Sequence, residues 1–155
     1  MYPGIYDTFK HLRNRNLTMG IISNGQFYTL VDVSCLLVKQ SNDKIKNISD
    51  FISKDFCFLS YQYGCSKPNP QLFFEALKAL QKTGIESEEV LYVGNDLFND
   101  VLGASQAGMK TALFTGDRET LHLGEGREEV KGLIPDLVIE QMPELIYKLK
   151  DASGN

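Results

Sequence analysis

The sequence predicts an α/β fold in which parallel strands and helices form a three-layer, doubly wound sheet. Two observations support this prediction. Short apolar runs of strand length recur along the chain, and amphipathic segments with helical spacing separate them. Strands that alternate with helices form parallel sheets, because each crossover helix covers one face of the sheet. At 155 residues the chain is predicted to form one domain over residues 1–150, followed by a disordered tail over 151–155.

Five runs are predicted to be strands. Each is short and apolar, and each is bounded by turn residues or by the start of a helix. In chain order they are 17–22, 56–60, 90–93, 110–114 and 136–139. The first is followed by the turn triplet Ser23-Asn24-Gly25, and the third is followed by Gly94.

Helices are predicted before, between and after these strands. The clearest begins near Pro70 and has an apolar stripe formed by Leu72, Phe73, Ala76, Leu77 and Leu80. Helical spacing also marks 3–16, 27–38, 97–107 and 142–149. Polar loops are predicted over 61–69 and 115–132, and the stretch 27–55 has no role that its sequence indicates.

Composition argues against several classes of function. The 16 Lys and Arg residues are outnumbered by 20 Asp and Glu residues, the net charge is −4, and no basic run is present, so a nucleic-acid partner is not expected. No apolar run approaches the roughly 18–20 residues of a membrane-spanning helix, and no signal peptide is recognisable at Met1. Three cysteines without Cys-x-x-Cys spacing are interpreted as reduced thiols, which favours a cytoplasmic location. The sequence does not indicate an oligomeric state.

Polar residues follow three of the predicted strands. Ser23, Lys67 and Asp96 lie in separate connections, and the carboxyl ends of parallel strands share one edge of a sheet, so we expect these side chains to lie close together. The Ser23 hydroxyl and the backbone N–H groups of Asn24 and Gly25 can hold phosphate oxygens. The Lys67 ammonium can neutralise charge that develops on the same phosphoryl group.

Asp96 and Asp100 form an acidic pair after the third strand. Two carboxylates a few ångströms apart repel by roughly 1 to 4 kcal/mol, depending on the local dielectric. Mg²⁺ would convert this repulsion into binding energy, because it prefers oxygen ligands and water. Each residue also has a simpler interpretation. In it, Ser23 is a turn residue or a helix cap and Lys67 is a solvated lysine. Asp96 is then an N-cap, and Asp100 is an acid that complements the helix dipole. Their joint placement at one edge favours a functional site.

Three segments in this order resemble motifs of the haloacid dehalogenase-like (HAD) hydrolase superfamily. They are Ile21-Ile22-Ser23-Asn24-Gly25, Ser66-Lys67-Pro68-Asn69-Pro70 and Val93-Gly94-Asn95-Asp96-Leu97-Phe98-Asn99-Asp100, and they look like its second, third and fourth motifs. The resemblance extends from Tyr2 to about Leu149. In that family an aspartate attacks the substrate phosphorus, and water then hydrolyses the aspartyl-phosphate.

The resemblance implies a role for each matched residue. Ser23 would hydrogen-bond the phosphoryl group, and Lys67 would stabilise the nucleophile and the transferring phosphate. Asp96 would bind Mg²⁺, and Asp100 would assist by orienting Lys67 or a metal-bound water. The family often has an acid directly after the glycine, where this chain has Asn95, so either Asp96 or Asn95 is the expected metal ligand.

The family's first motif, an apolar strand that ends Asp-x-Asp, is not found in this chain. We therefore expect the chain alone to be inactive, as the carboxyl-terminal part of a longer Mg²⁺-dependent phosphatase that acts on a small phosphorylated metabolite. The family's first strand lies between the strand that ends at Ser23 and the strand that ends at Gly94. Without it, these two strands are expected to expose unpaired edges or to pair directly.

Other interpretations remain open. The missing motif favours a non-catalytic HAD-fold binding or regulatory module, or a truncated product. A metal-independent dehalogenase relative is disfavoured by Asp96 and Asp100. A phosphoacceptor receiver domain is disfavoured because its acids come early in the chain and its lysine last. A dinucleotide-binding domain is disfavoured because no Gly-x-Gly-x-x-Gly follows a strand.

Overall fold

Parallel strands and helices alternate along the chain, so the predicted α/β class is confirmed. The structure, a computed structural model, describes residues 2–152. In this range the strands are β1 (Ile21–Ser23), β2 (Cys57–Leu59), β3 (Leu91–Gly94), β4 (Lys110–Phe114) and β5 (Leu137–Ile139). The α-helices are α1 (Ile5–Asn14), α2 (Thr29–Gln40), α3 (Ser60–Tyr63), α4 (Gln71–Gln81), α5 (Gly103–Gln106) and α6 (Glu144–Ala152). A π-helical segment, Leu97–Leu102, leads directly into α5.

The boundaries differ from the predicted ones at a few places. The first strand begins at Ile21 rather than at residue 17, because Ile21 pairs with Cys57, the first residue of β2, and the residues before Cys57 form a 3₁₀ turn. Helix α3 was not predicted, since its residues fall in a segment assigned to a strand end and a loop. Of the predicted disordered tail, Asp151 and Ala152 belong to α6, and 153–155 lie outside the described residues.

The stretch 27–55 forms part of the core. It contains α2 and two short 3₁₀ turns, Ile48–Asp50 and Lys54–Phe56. The first turn has a capping box at its N-terminal end, in which Asn47 accepts from the Ser49 N–H and Asp50 accepts from the N–H groups of Asn47 and Lys46. Ile48 and Ile52 are thereby buried against Leu37 of α2.

The strands form two separate parallel sheets, in keeping with the prediction of a sheet that is incomplete at its first strand. β1 pairs with β2, with Ile22 opposite Phe58, and β3 pairs with β4, which pairs with β5. Within the described part of the chain, no ladder joins β1 to β3. Of the two outcomes expected without the family's first strand, the structure shows unpaired edges rather than direct pairing.

Helices cover both faces of the strands. Ile21 faces the apolar cluster of α1 and α2, whereas its neighbour Ile22 faces the cluster of α4 and α5. On β3, Leu91 and Val93 face α6, whereas Tyr92 faces α4. This period of two is what strands buried on both faces require. No helix within residues 2–152 has the length and apolar character needed to cross a bilayer.

Candidate active site

Lys67 and Asp100 form an ion pair at the carboxyl edge of β3. The Lys67 Nζ donates to Asp100 Oδ1, and the two side chains are only 12% and 6% exposed. Charges removed from water in this way are unfavourable unless they are paired and hydrogen-bonded. Lys67 is therefore not a solvated surface lysine, and Asp100 fixes the position of its ammonium group.

Tyr92 is the third member of this cluster, and sequence reasoning missed it. Its hydroxyl accepts a hydrogen bond from Lys67 Nζ at 3.0 Å and lies 3.1 Å from Asp100 Oδ1 and 3.2 Å from the Ile22 carbonyl oxygen. A hydroxyl has one proton, so it donates to one of these two acceptors at a time. Burial and the neighbouring Asp100 carboxylate raise the pKa of Tyr92 well above its usual value, so the hydroxyl stays protonated. The available signal was a polar-tipped aromatic residue in an otherwise apolar strand.

The Asn24 side chain holds the backbone of Lys67. Its Oδ1 accepts from the Lys67 N–H at 2.6 Å, and its Nδ2 donates to the Lys67 carbonyl oxygen at 3.1 Å. These two bonds tie the end of β1 to the loop before α4, although 43 residues separate them in sequence. Asn24 therefore positions the lysine with its side chain, and only its backbone N–H remains for the predicted phosphate contact.

Ser23 and Gly25 lie on either side of Asn24. The Ser23 hydroxyl is half-buried and makes no hydrogen bond to any described residue, so it is available to a ligand. Gly25 is buried, and a Cβ built there would lie 2.7 Å from Thr29 Oγ1. A side chain at this position would push the turn away from the start of α2. The glycine thus allows the close packing that sets the turn after Ser23.

The Asp96 carboxylate is the N-cap of the segment Leu97–Leu102. Its Oδ1 accepts from the N–H groups of Phe98 and Asn99 at 2.9 and 2.8 Å, and its Oδ2 accepts from Asn99 Nδ2 at 2.6 Å. A carboxylate offers about four acceptor positions, of which three are used here. About one position remains for a cation.

Asn95 is held by the long loop that follows β4. Its Nδ2 donates to the Thr120 carbonyl oxygen, and its backbone carbonyl accepts from the His122 N–H at 3.0 Å. The Leu97 N–H in turn donates to the His122 carbonyl at 2.8 Å. The loop predicted over 115–132 therefore lies along the end of β3, and Oδ1 is the Asn95 side-chain atom left to act as a ligand.

The residues at this edge could supply only some of the oxygen ligands that Mg²⁺ needs. In residues 2–152, no group of three or more His, Cys, Asp and Glu side chains could hold a metal ion. Asp100 is not an additional donor, because Oδ1 binds Lys67 and Oδ2 accepts from the N–H groups of Asn95 and Asp96. Asn95 Oδ1 and one position on Asp96 remain. Mg²⁺ commonly accepts such a site, since it retains several waters and binds one or two protein oxygens together with phosphate.

Proteins with matching sequences are phosphatases about twice as long. Glyceraldehyde 3-phosphate phosphatase from Methanopyrus kandleri is 34% identical over 111 residues, which cover 71% of this chain and 41% of that protein. The Pyrococcus furiosus protein of the same name is 30% identical over 155 residues, covering 99% of this chain and 56% of its own. Pyrophosphatase PpaX from Oceanobacillus iheyensis is 27% identical over 152 residues, covering 97% and 61%. The chain thus spans about half the length of the curated relatives that it matches.

Solved structures and a family model also match this chain. A HAD phosphatase from Thermococcus onnurineus superposes with a TM-score of 0.66 at 23% identity, covering 99% of this chain and 58% of that protein. The putative HAD-hydrolase YfnB from Bacillus subtilis, solved with bound magnesium, gives 0.69 at 20% identity and covers 96% and 55%. At these identities the likeness shows the fold alone. The family model for haloacid dehalogenase-like hydrolases matches residues 1–108, and the chain therefore belongs to the haloacid dehalogenase-like hydrolase family.

Proposed function

We propose that this chain forms the phosphate-binding and lysine-bearing part of a Mg²⁺-dependent phosphatase that acts through an aspartyl-phosphate. The nucleophilic aspartate is not among its matched motif residues and has to come from outside this chain. The observation that supports the proposal best is the Lys67 ammonium, fixed by Asp100 and Tyr92 on the edge where the Ser23 hydroxyl is unengaged.

The two sheets would then be parts of one doubly wound HAD-like sheet that lacks its first strand. Helices on both faces of β1 and β3 support this interpretation, as does the length of the relatives, of which the chain covers about half. A strand between β1 and β3 would join the two ladders into one.

Each residue of the site would make a separate contribution to phosphoryl transfer. Ser23 and the backbone N–H groups of Asn24 and Gly25 would bind the phosphoryl oxygens. Lys67 would offset the negative charge that develops at the phosphoryl group, while Asp100 keeps its ammonium in place. Mg²⁺, held by Asn95 and Asp96, would supply further neutralisation of phosphate charge when bound.

The proposed substrates are small phosphorylated compounds. The relatives with matching sequences are named for glyceraldehyde 3-phosphate and for pyrophosphate. These two compounds share a terminal phosphoryl group, which the proposed contacts would recognise.

A chimera tests this proposal. The chain would replace the matching 56% of the Pyrococcus furiosus relative, and hydrolysis of glyceraldehyde 3-phosphate and pyrophosphate would be measured with Mg²⁺ and with EDTA. We expect activity that chelation abolishes and that Lys67→Met lowers about 100-fold or more, because Lys67 stabilises charge in the transition state. Lys78→Met, an exposed lysine on α4, is the matched control and should have no effect.

A separate pair of variants tests whether Asp96 is a metal ligand. Asp96→Asn should raise the Mg²⁺ concentration needed for half-maximal activity, whereas the exposed Asp32→Asn should leave it unchanged. Full activity in EDTA would exclude the metal role. A folded chimera that turns over neither phosphate, with the intact relative active in parallel, would contradict the phosphatase proposal. Hydrolysis of a 2-haloacid by that chimera would favour the dehalogenase alternative.

A further inference from the structure

The side of helix α2 that faces away from the core is largely apolar. The inner side buries Leu37 against Ile48 and the residues of α1. On the outer side, Val31 is 61% exposed, and Phe27, two residues before the helix, is 75% exposed. A helix that is apolar on all sides is usually buried on all sides, and clustered exposed apolar residues mark interaction sites. The exposed apolar residues of this outer face are Phe27, Tyr28, Val31, Cys35 and Leu36.

The spacing along the outer face matches that of a helix that packs lengthwise against another helix. Tyr28, Asp32, Cys35 and Lys39 follow each other at intervals of four, three and four residues, and all four are exposed. This pattern forms a narrow seam along one side of a helix, as in coiled-coil pairs. Val31 and Leu36 lie on either side of the seam, so the partner that fits this face is a second helix.

Two opposite charges, Asp32 and Lys39, lie on this seam. Neither side chain makes an ion pair or a hydrogen bond with another residue in the part of the chain that the structure describes. Their positions in the first and last turns suit the helix dipole, but the dipole does not account for the apolar residues around them. The two charges are about 10 Å apart along the helix axis, and a partner helix has to match both.

We propose that the outer face of α2 is a homodimer interface, in which α2 packs antiparallel against α2 of a second copy of this chain. A two-fold axis that passes beside Cys35, midway between the two charges, places Asp32 opposite Lys39 of the partner subunit. The reverse pair forms by symmetry, so the face is its own complement. A parallel arrangement would place like charges together, and a helix with charge of only one sign would match one of the two residues.

The proposed interface is small, because one helix contributes most of it on each side. Specific interfaces that bury less than about 1,200 Å² in total are typically weak. We therefore expect a reversible dimer with a Kd on the order of 10 to 100 µM. An isologous contact closes on itself, so association should stop at the dimer.

Sedimentation velocity tests the dimer without reference to hydrolysis, so its outcome is independent of the proposed phosphatase activity. The chain would be measured from about 5 to about 500 µM, a range that includes the expected Kd. Val31→Glu places a charge in the apolar interface and should raise the Kd at least about tenfold. Ile134→Glu is the matched control, because Ile134 is 84% exposed and lies outside α2, and it should leave the Kd unchanged. Circular dichroism would confirm that both variants are folded.

A charge exchange tests the antiparallel arrangement. Asp32→Lys and Lys39→Asp each place like charges opposite one another and should each weaken the dimer. The double variant Asp32→Lys/Lys39→Asp restores opposite pairs and should recover dimerisation. If the two residues act only through the helix dipole, the double variant should instead be the least stable of the three, with no recovery of association. That result would overturn the proposal.

Thiol cross-linking locates the axis. A short bismaleimide should link Cys35 to Cys35 of the partner subunit at concentrations where the dimer forms, and Cys35→Ser should abolish the link although Cys57 and Cys65 remain. A chain that is monomeric at every concentration would contradict the proposal. So would a dimer that Val31→Glu leaves intact, because its contact would then lie elsewhere, for example at the unpaired edges of β1 and β3.

Discussion

A side chain at Gly94 would occupy the space that Asp100 fills. A Cβ built at Gly94 overlaps the Cβ, Cγ and Oδ2 atoms of Asp100. The glycine that ends β3 thus lets the carboxylate fold back against the strand end, where it accepts from the N–H groups of Asn95 and Asp96 at 3.1 Å. From that position Asp100 reaches Lys67. The placement of the lysine therefore depends on a residue that has no side chain.

Gly94→Ala should displace Asp100 and destabilise the protein. Overpacking of this kind costs about 1–3 kcal/mol, which urea unfolding of the two proteins would measure. Asp100→Ala removes Cγ and Oδ2, two of the three atoms that collide, and keeps Cβ, so the effects of the two substitutions should be less than additive. In a double-mutant cycle, Gly94→Ala should cost less when residue 100 is already alanine. Additive effects would show that the contact between Gly94 and Asp100 does not limit the site.

Asn24→Ala should loosen the loop that carries Lys67. The substitution removes the bonds from Asn24 to the Lys67 N–H and carbonyl, so the amide hydrogen of Lys67 should exchange faster in the native state. Asn24→Asp is the matched variant, because it keeps the acceptor for the Lys67 N–H and loses only the donor. It should show a smaller increase. An unchanged exchange rate in Asn24→Ala would mean that other contacts hold the loop.

Sequence patterns could assign the candidate residues to one edge because of a property of the fold class. Ser23, Lys67 and Asp100 are far apart in the chain, but each follows a strand, and strand ends converge at one edge of a parallel sheet. The same reasoning could not choose between two roles for Asp96, since a carboxylate after a strand suits both an N-cap and a metal. Only the contacts of its oxygens show that two acceptor positions serve the cap and that a third accepts from the Asn99 side chain.

Contacts made by ordinary residue types were not predictable in this way. Asn24 belongs to a turn triplet and Tyr92 to an apolar strand, and nothing in either segment specifies a partner 43 or 25 residues away. The split into two sheets has a different origin. Pairing depends on which strands are adjacent in space, and the local apolar pattern of β1 or β3 does not contain that information.

The stability of the fold should depend on the ionisation of Asp136. The Thr111 N–H donates to Asp136 Oδ2 at 2.8 Å and, with the Thr111 hydroxyl and Lys110, lowers the pKa of Asp136 below its usual value near 3.8. A lowered pKa means that the ionised group stabilises the fold above about pH 4, and that this contribution is lost as the pH falls through the folded-state pKa. Asp136→Asn should therefore be less stable than the parent at pH 7, with a difference that shrinks in acid.

Thr111→Val provides the control for this pH dependence. It removes the hydroxyl that lies 3.0 Å from Asp136 Oδ2 but keeps the backbone donor, which has the larger effect on the pKa. Most of the acid sensitivity should therefore persist in Thr111→Val and be lost in Asp136→Asn. Urea unfolding at several pH values between 3 and 7 would measure it. A constant difference between the parent and Asp136→Asn across that range would exclude ionisation of Asp136 as the cause.

Tyr92→Phe should cost about 1–3 kcal/mol of unfolding free energy, the usual effect of removing a buried hydrogen bond to a charged group. The ring would keep its edge contact with Phe73, whose centroid lies 5.1 Å away, so packing is preserved and only the hydroxyl is lost. Tyr147→Phe, at an exposed tyrosine of α6, should stay within about 0.5 kcal/mol of the parent. If both variants are equally stable, the Tyr92 hydroxyl does not hold Lys67. In another outcome, stability is lost only in Tyr92→Phe while the amide hydrogen of Lys67 exchanges as slowly as in the parent. That result would show that the Tyr92 hydroxyl acts on the ammonium group of Lys67, because Asn24 holds the lysine backbone independently.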